Sequence, residues 1–497
     1  MDIHISVEGR HDLSGQIYRQ LRAGIVDGRL TGGTRLPSTR DLATQLGVSR
    51  KTTLDVFERL FAEGYLITRP GSGTFVADGL ERLPASHPGV SGTGGHLAAV
   101  QAARATSTTR PGAQPLPMWA QLPGRESLPS PLTGSPFDFI GGVTDKTRFP
   151  FDVWRRCVNH ALRAQSRGRG TYRDPAGEQE LRLAISRYLA FSRAVMSNWD
   201  EVLVTQGAQE ALDLIARVTV APGDVVAVED PGYPPARACL AARGAKVVPV
   251  PVDGQGLIVR KLPKAARLVY VTPSHQFPLG MPMSLERRVE LLEWAQQRGA
   301  VIVEDDYDCE FRFEGRSMEP LKSLDRAGLV AYVGTFSKTL FPELRVGYVV
   351  APASLSPALV KARMIGSGGG CALTQTALAA FMLDGEFARH LRRMHKLYAA
   401  RREMLLAHLN GRLAPWLEPV ATGAGIHLAA HFRVPVDEAR VSAGARAASI
   451  GLPGLTPFYV NAKPEPGLMF GYGGIEIEHI DAALTKFARL LPKLVRS

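Results

Sequence analysis

The sequence predicts a multidomain protein: a small α+β head, a linker, and a large α/β body that ends in a smaller subdomain. Three observations carry this. Residues 14–76 are dense in helical periodicity and close in a hairpin pattern, residues 79–135 turn to Gly, Pro, Ser, Thr and Ala, and from about Phe137 apolar strand-like runs alternate with helical stretches. A chain of 497 residues has room for two to four domains at ~100–200 residues each. Its 45% hydrophobic and 21% charged residues are ordinary for a globular protein and exclude general disorder.

In the head, Ile17, Leu21 and Ile25 recur at helical spacing. After Gly32 and Gly33, Ser38 offers an N-cap oxygen for the short helix TRDLATQL, which Gly47 closes. Ser49 then caps a longer helix, RKTTLDVFERLFAEG, with Leu54, Phe57, Leu60 and Phe61 as its expected buried face. YLITRPGSGTFV alternates like two short strands around Pro70, Gly71 and Gly73. Three helices and a hairpin make the winged helix-turn-helix pattern, in which the second helix of the pair enters the major groove by its N-terminal end. That end holds Ser49, Arg50, Lys51, Thr52 and Thr53, whereas Asp55, Glu58 and Glu63 follow later. Arg40 and Arg69 are expected on phosphates, with Gly71, Ser72 and Gly73 letting the hairpin tip approach the groove. The formal charge of +12 is compatible with a double-stranded DNA operator as partner and does not identify one.

The linker has only Glu81 and Glu126 as acids and too little apolar surface to fold alone. A flexible chain of that length spans about 40 Å. In the body, the candidate strands are EVLVT, DVVAVE, KVVPVP, RLVYVT, AVIVED, LVAYVG and RVGYVV, seven runs that read as strands of a largely parallel sheet buried on both faces. From Thr374 onward the pattern is mainly helical.

Chemistry enters with GTFSKTLFPELRVGY, residues 334–348. A lysine that forms a Schiff base must be partly desolvated and must sit among groups that fix the ring it binds. Pyridoxal 5′-phosphate asks for a carboxylate at its ring nitrogen, a donor at its phenolic oxygen, an aromatic plate, and a helix N-terminus with an arginine at its phosphate. VIVEDDYD ends a strand with Asp305 and Tyr307, VTQGAQEAL turns into a helix at Gly207, Ala208 and Gln209, EDPGYPP places Tyr233 beyond another strand, and Arg345 follows Lys338. Strand ends of one α/β sheet are where such sheets bind ligands. Glu304, Asp305, Asp306 and Asp308 would also suit magnesium, but the tyrosine among them and the lack of a phosphate-loop partner favour the organic cofactor, and no metal is expected.

Cys157, Cys239, Cys309 and Cys371 are far apart and form no C-x-x-C pair, which points away from zinc and disulfides and towards a reducing cytoplasm. MDIHISVEGRHD lacks the apolar core of a signal peptide, and no apolar run approaches the ~20 residues that span a bilayer, so no membrane partner is expected.

The stretch LPSTRDLATQLGVSRKTTLDVFERLFAEGYLITRPGSGTFV resembles the DNA-binding domain of the GntR transcription regulators over nearly its full length. Residues 137–497 resemble the fold-type I aminotransferases through YRDPAGEQELRLAISRYLAFSRAV, TQGAQEALDL, EDPGYP, TPSHQFPLG, EDDYDCEFRF and FSKTLFPELRVGYV, in that order. Together they are similar to the MocR/GabR subfamily of GntR regulators. The resemblance implies a head over 1–78, a linker over 79–135 and an aminotransferase-like body over 136–497 with its subdomain from about 374. It implies that Lys338 forms the Schiff base with pyridoxal phosphate, that Asp305 pairs the ring nitrogen, that Tyr307 bonds the phenolic oxygen and that Tyr233 stacks. Ser337, Arg345 and the amides near Gly207 and Ala208, with Thr335, would hold the phosphate, and His275 and Gln276 fall near the phenolic oxygen. It further implies a homodimer, domain-swapped with each head near the other subunit's body. Class I aminotransferases grip the substrate carboxylate with an arginine near the C-terminus, but GLMFGYGGIEI at 467–477 has none, and Pro235 offers no cation. The expected function is therefore a regulator sensing a small amine or amino-acid effector, or pyridoxal phosphate itself; the alternative is an active aminotransferase carrying a DNA-binding head. The basic stretch 388–404 reads as a solvated face or as a second DNA contact.

Overall fold

The computed structural model describes residues 5–7, 9, 11–78, 116–124, 129–315 and 319–495. The chain divides into two compact units, Met1–Ala113 and Gln114–Ser497. Most of the stretch read as linker lies outside the described residues. Its C-terminal end is tied to the second unit, where the Leu132 N–H donates to Asp138 at 2.8 Å and the Ser135 hydroxyl to the Ser449 carbonyl at 2.7 Å. Among the described residues no helix is long and apolar enough to cross a membrane.

In the first unit, α1 (Leu13–Val26) buries Ile17, Leu21 and Ile25. Helix α2 (Thr39–Leu46) starts at Ser38, whose hydroxyl accepts from the Asp41 N–H at 3.2 Å, and stops at Gly47 with φ 62°. Helix α3 (Arg50–Ala62) starts at Ser49, which accepts from the Thr52 N–H at 3.1 Å. Strands β1 (Leu66–Arg69) and β2 (Gly73–Val76) pair antiparallel to form the wing.

The buried stripe of α3 differs from the expected one. It is Thr53, Val56, Phe57 and Leu60, while Leu54 is 45% exposed and Phe61 half-buried. Helical spacing holds, but its first place is taken by a polar residue: the Thr53 hydroxyl lies 2.8 Å from the Thr39 carbonyl and 3.0 Å from that of Arg50, and donates between them. Thr53, expected on the DNA face, is thus turned inward and ties α3 to the start of α2.

In the second unit the parallel run is β5 (Lys246–Asp253), β4 (Val225–Asp230), β7 (Ala266–Val271), β8 (Val301–Asp306) and β9 (Val330–Thr335). Strand β10 (Gly347–Val350) lies antiparallel between β9 and β3 (Val202–Thr205). All seven expected strands are present. The sheet has eight, because the two-residue β6 (Gly256–Leu257) folds back on β5 as an antiparallel edge too short to show in the sequence pattern. Period-two alternation buries both faces: Val226, Val228, Leu268 and Tyr270 pack with helix Ala208–Thr219, while Ala227, Val269 and Val271 pack with helix Leu285–Arg298.

The C-terminal lobe is less purely helical than expected. Helices Glu386–Asn410, Glu438–Ala447 and Ile477–Val495 accompany an antiparallel sheet of β11 (Leu417–Pro419), β12 (His427–Phe432) and β13 (Gly467–Gly471). HLAAHF carries two alanines and no β-branched residue, so β12 owes its form to burial between its neighbours rather than to propensity.

Thr53→Val, which keeps the volume and removes the hydroxyl, should destabilise the head by about 1–3 kcal/mol. Hydrogen exchange on the full-length protein should show lost protection in α2 and α3, whereas Lys51→Ala should leave that protection as it is.

Candidate functional site

Parallel strands bring their C-terminal ends to one edge, and a cavity of about 330 Å³ lies there, within the range of roughly 300–1,000 Å³ usual for small-molecule sites. Lys338 lines it, just beyond β9. Its Nζ donates to the Gly142 carbonyl at 2.8 Å, and a Cβ at residue 142 would come within 2.7 Å of that nitrogen. Gly142 also holds φ 80°, so both space and backbone require glycine there. Desolvation pushes the lysine's pKa down, against the opposing pull of Asp308 and Asp305. The amine is thereby moved towards its nucleophilic, neutral form.

Asp305, at the end of β8, is buried. Its Oδ2 accepts from the Tyr270 hydroxyl at 2.7 Å, but Oδ1 has no partner. Desolvation raises its pKa to about 6, although the Tyr270 bond acts the other way. A buried carboxylate oxygen left unpaired is unfavourable. It fits a donor, such as a protonated ring nitrogen, that belongs in this cavity.

The other end of the cavity suits an anion. Gly207, at φ 85°, caps helix Ala208–Thr219, whose first backbone N–H groups point out of the helix. The Arg345 guanidinium donates to the Gln206 carbonyl at 2.8 Å, and a Cβ at residue 207 would sit 3.3 Å from its Nη2. The Thr335 hydroxyl donates to the Ser337 hydroxyl at 3.0 Å and accepts from the Ser337 N–H at 3.1 Å. Gln209 lines the cavity and donates to the Pro235 carbonyl at 3.1 Å.

Tyr233 and Tyr307 also line the cavity. The Tyr233 ring meets Phe277 edge-on, centroids 5.4 Å apart, and burial pushes its phenol to about 12. The Tyr307 hydroxyl donates to the His275 carbonyl at 2.9 Å and lies 3.1 Å from His275 Nδ1. The structure thus gathers Lys338, Asp305, Tyr307, Tyr233, Ala208, Gln209, Thr335, Ser337 and Arg345 around one space, with Gly207 at its rim.

His275 and Gln276 are placed differently from the expectation. Both are buried, and neither lines the cavity. His275 stands behind Tyr307, held at Nδ1 by Asp308 at 2.9 Å. The Gln276 amide donates to the carbonyls of Pro231 at 2.8 Å and Phe277 at 2.7 Å, so its hydrogen-bonding groups hold the surrounding loops. Sequence reasoning passed over Gly142, Tyr270 and His427, and weighed Asp308 only within the acidic run that would suit magnesium. Tyr270 and Asp308 had a signal, lying at a strand end and within the acidic run; Gly142 and His427 reach the cavity only through tertiary folding.

In the first unit, Arg40, Arg50, Lys51 and Arg69 are exposed, Thr52 is half-buried, and Ser49 is spent as a cap. Arg69 lies over the Phe75 ring at 4.8 Å and 3.5 Å from Asp78. Gly71, Ser72 and Gly73 form the exposed wing tip.

The pattern of the aminotransferase class I and II family matches residues 142–432, and that of the bacterial regulatory proteins of the gntR family matches residues 13–76. The chain is 37% identical to the probable rhizopine catabolism regulatory protein MocR of Rhizobium meliloti, over 93% of this chain and 90% of that protein. It is 32% identical to the HTH-type pyridoxine biosynthesis transcriptional regulator PdxR of Corynebacterium glutamicum, over 92% and 91%. Among solved structures, the α-aminoadipate aminotransferase LysN of Thermus thermophilus, complexed with N-(5′-phosphopyridoxyl)-L-leucine, matches at TM-score 0.66 and 25% identity, over 76% of this chain and 95% of that one. Kynurenine aminotransferase of Pyrococcus horikoshii matches at TM-score 0.68 and 23% identity, over 73% and 93%, and shows the same fold.

Glu229, behind Gln276, provides a pH test. Its Oε2 accepts from the Thr272 hydroxyl at 2.6 Å, its Oε1 is unpartnered, and desolvation raises its pKa to about 7. A carboxyl raised on folding adds stability that is fully present below its unfolded pKa of roughly 4.3 and is lost as pH climbs through the folded value. Glu229→Gln removes this titration. Relative to the unchanged protein, the variant should gain on the order of 3 kcal/mol between pH 4 and 8, read from denaturant unfolding.

Proposed function

Because the chain belongs to the MocR/GabR subfamily of gntR-family transcription regulators, with a class I and II aminotransferase body and pyridoxal phosphate as cofactor, we propose that it senses a small amine at Lys338 and converts occupancy there into a change of operator affinity. The observation that carries this is the buried, unpartnered Oδ1 of Asp305 in the same cavity as a desolvated lysine amine.

When bound, pyridoxal phosphate supplies an aldehyde and an electron-withdrawing ring. Asp305 would hold its ring nitrogen and lose its unpaired state in doing so. Tyr307 would bond the phenolic oxygen, backed by His275, while Tyr233 would cover a ring face. The helix N-terminus at Gly207 and Ala208, with Ser337, Arg345 and Thr335, would take the phosphate. Lys338 would supply the amine that holds the aldehyde, and a ligand amine would compete with it for that place. A difference in affinity between the two states is all that coupling to DNA requires.

The head would read double-stranded DNA through Arg50, Lys51 and Thr52 at the start of α3, with Arg40 and Arg69 on phosphates. A homodimer with exchanged heads matches paired half-sites. The exposure of Tyr172 at 101% and of Ile365 at 76% supports a second copy covering these surfaces.

Two outcomes are expected. The purified, cofactor-loaded protein should show a visible absorbance band that Lys338→Ala abolishes completely, and in that variant operator affinity should no longer respond to any amine. Arg40→Ala should weaken binding to all DNA sequences alike and flatten the slope of log K against log salt by about 1, as loss of one phosphate contact does.

A further inference from the structure

The cavity is electrostatically lopsided. Among the described residues its lining holds two cations, and both stand at the cofactor end: Lys338 on the Gly142 carbonyl and Arg345 on the Gln206 carbonyl. Two carboxylates, Asp305 and Asp308, face the same space. Burial would push Asp308 up, but His275 beside it holds its carboxyl below the usual range. The remaining wall is apolar and aromatic, made by Ile140, Phe277, Ile426, Phe458 and Met469. Phe277 and Phe458 meet at right angles with centroids 5.2 Å apart.

The one basic ring in that wall among the described residues carries no charge at neutral pH. His427 is buried on β12, its Nε2 pairs with the Pro278 carbonyl at 3.1 Å, and burial pushes its pKa down to about 3. Three arginines outside the lining have partners of their own. Arg237 donates to the carbonyls of Gly232 at 3.3 Å and Phe458 at 3.1 Å, Arg433 pairs with Glu418 at 3.1 Å, and Arg446 donates to the carbonyls of Ser130 and Pro131 at 3.4 Å. Among the described residues, a ligand carboxylate placed against this wall would be desolvated with no lining cation beside it and would stand near the like charge of Asp308, both unfavourable.

We propose that the effector is a primary amine that carries no carboxylate and presents an apolar or aromatic body to the Phe277–Phe458 wall. This rests on the reading that an amine is sensed at Lys338, and it names the class of that amine. The positive end of the ligand is drawn by Asp308, since Asp305 is engaged by the cofactor ring; the rest of it is selected by contact and by exclusion of negative charge.

The test is a matched pair differing only in the carboxylate, phenethylamine and phenylalanine, titrated separately into the cofactor-loaded full-length protein while the visible band is recorded. Phenethylamine should shift the band at a concentration at least ten times lower than phenylalanine. Ile140→Arg, which adds a cation to a half-buried position of the wall, should narrow or reverse that ratio while keeping the band. Phenylalanine acting at an equal or lower concentration overturns the inference and leaves amine sensing standing. A band that neither compound shifts overturns amine sensing itself, and the inference with it. An unchanged ratio in Ile140→Arg overturns the assignment of selectivity to this wall.

Discussion

Asp305 is a buried carboxylate with one oxygen on Tyr270 and the other on nothing, and much of the body can be understood as the apparatus that holds it so. Such a charge is strongly unfavourable alone. It is tolerated at the end of a parallel strand because β7 and β8 are neighbours in register, which sets the Tyr270 hydroxyl beside it, and because the raised pKa lets it be partly neutral until a cationic partner arrives. The same burial that makes Asp305 reluctant to ionise makes Lys338 reluctant to stay protonated. One low-dielectric cavity thus prepares an acid and an amine in opposite senses, a pattern associated with functional sites rather than with structural ion pairs.

Close backbone approach is the second constraint. The lysine amine reaches the Gly142 carbonyl only because residue 142 has no side chain, and the Arg345 guanidinium lies flat against Gly207 for the same reason. Both glycines also sit at positive φ, so packing and conformation agree on the residue. Arg345 itself holds φ 51°, a left-handed conformation uncommon outside glycine, asparagine and aspartate. Its place two residues before β10 fixes the direction from which the guanidinium meets the helix N-terminus.

Much of this was legible in the sequence, and the exceptions share a cause. Apolar runs bounded by glycine and polar residues marked seven strands of the main sheet because burial on both faces leaves a continuous signal; β6, at two residues, leaves none, and β12 has two alanines and two histidines among its six residues. Residues that act at strand ends were visible as chemistry out of place: Asp305 and Tyr307 after an apolar run, Gly207 at a strand-to-helix turn. Residues that act through folding were not. Gly142 lies 196 positions from Lys338, and His427 enters the cavity from the C-terminal lobe, so neither has a local pattern. Thr53 misled in the opposite way, since a threonine beside Arg50 and Lys51 reads as a DNA contact until its hydroxyl is found between two carbonyls.

The lopsided charge of the cavity bears on what the site can do. Turnover of an amino acid needs its carboxylate anchored, because the anchor fixes the orientation of the bond that must break, and orientation supplies a large share of a barrier's reduction. The described wall beyond the cofactor groups is made in part by Phe277, Phe458 and an uncharged His427. Under the reading proposed above, a ligand amine would compete with Lys338 for the cofactor's aldehyde, and holding that aldehyde in place asks nothing of a carboxylate anchor. Among the described residues, the groups that would capture an amine share the cavity with an apolar and aromatic wall able to select a ligand by its shape. A site of that kind is suited to report occupancy, which is what a DNA-binding head requires of the domain it is joined to.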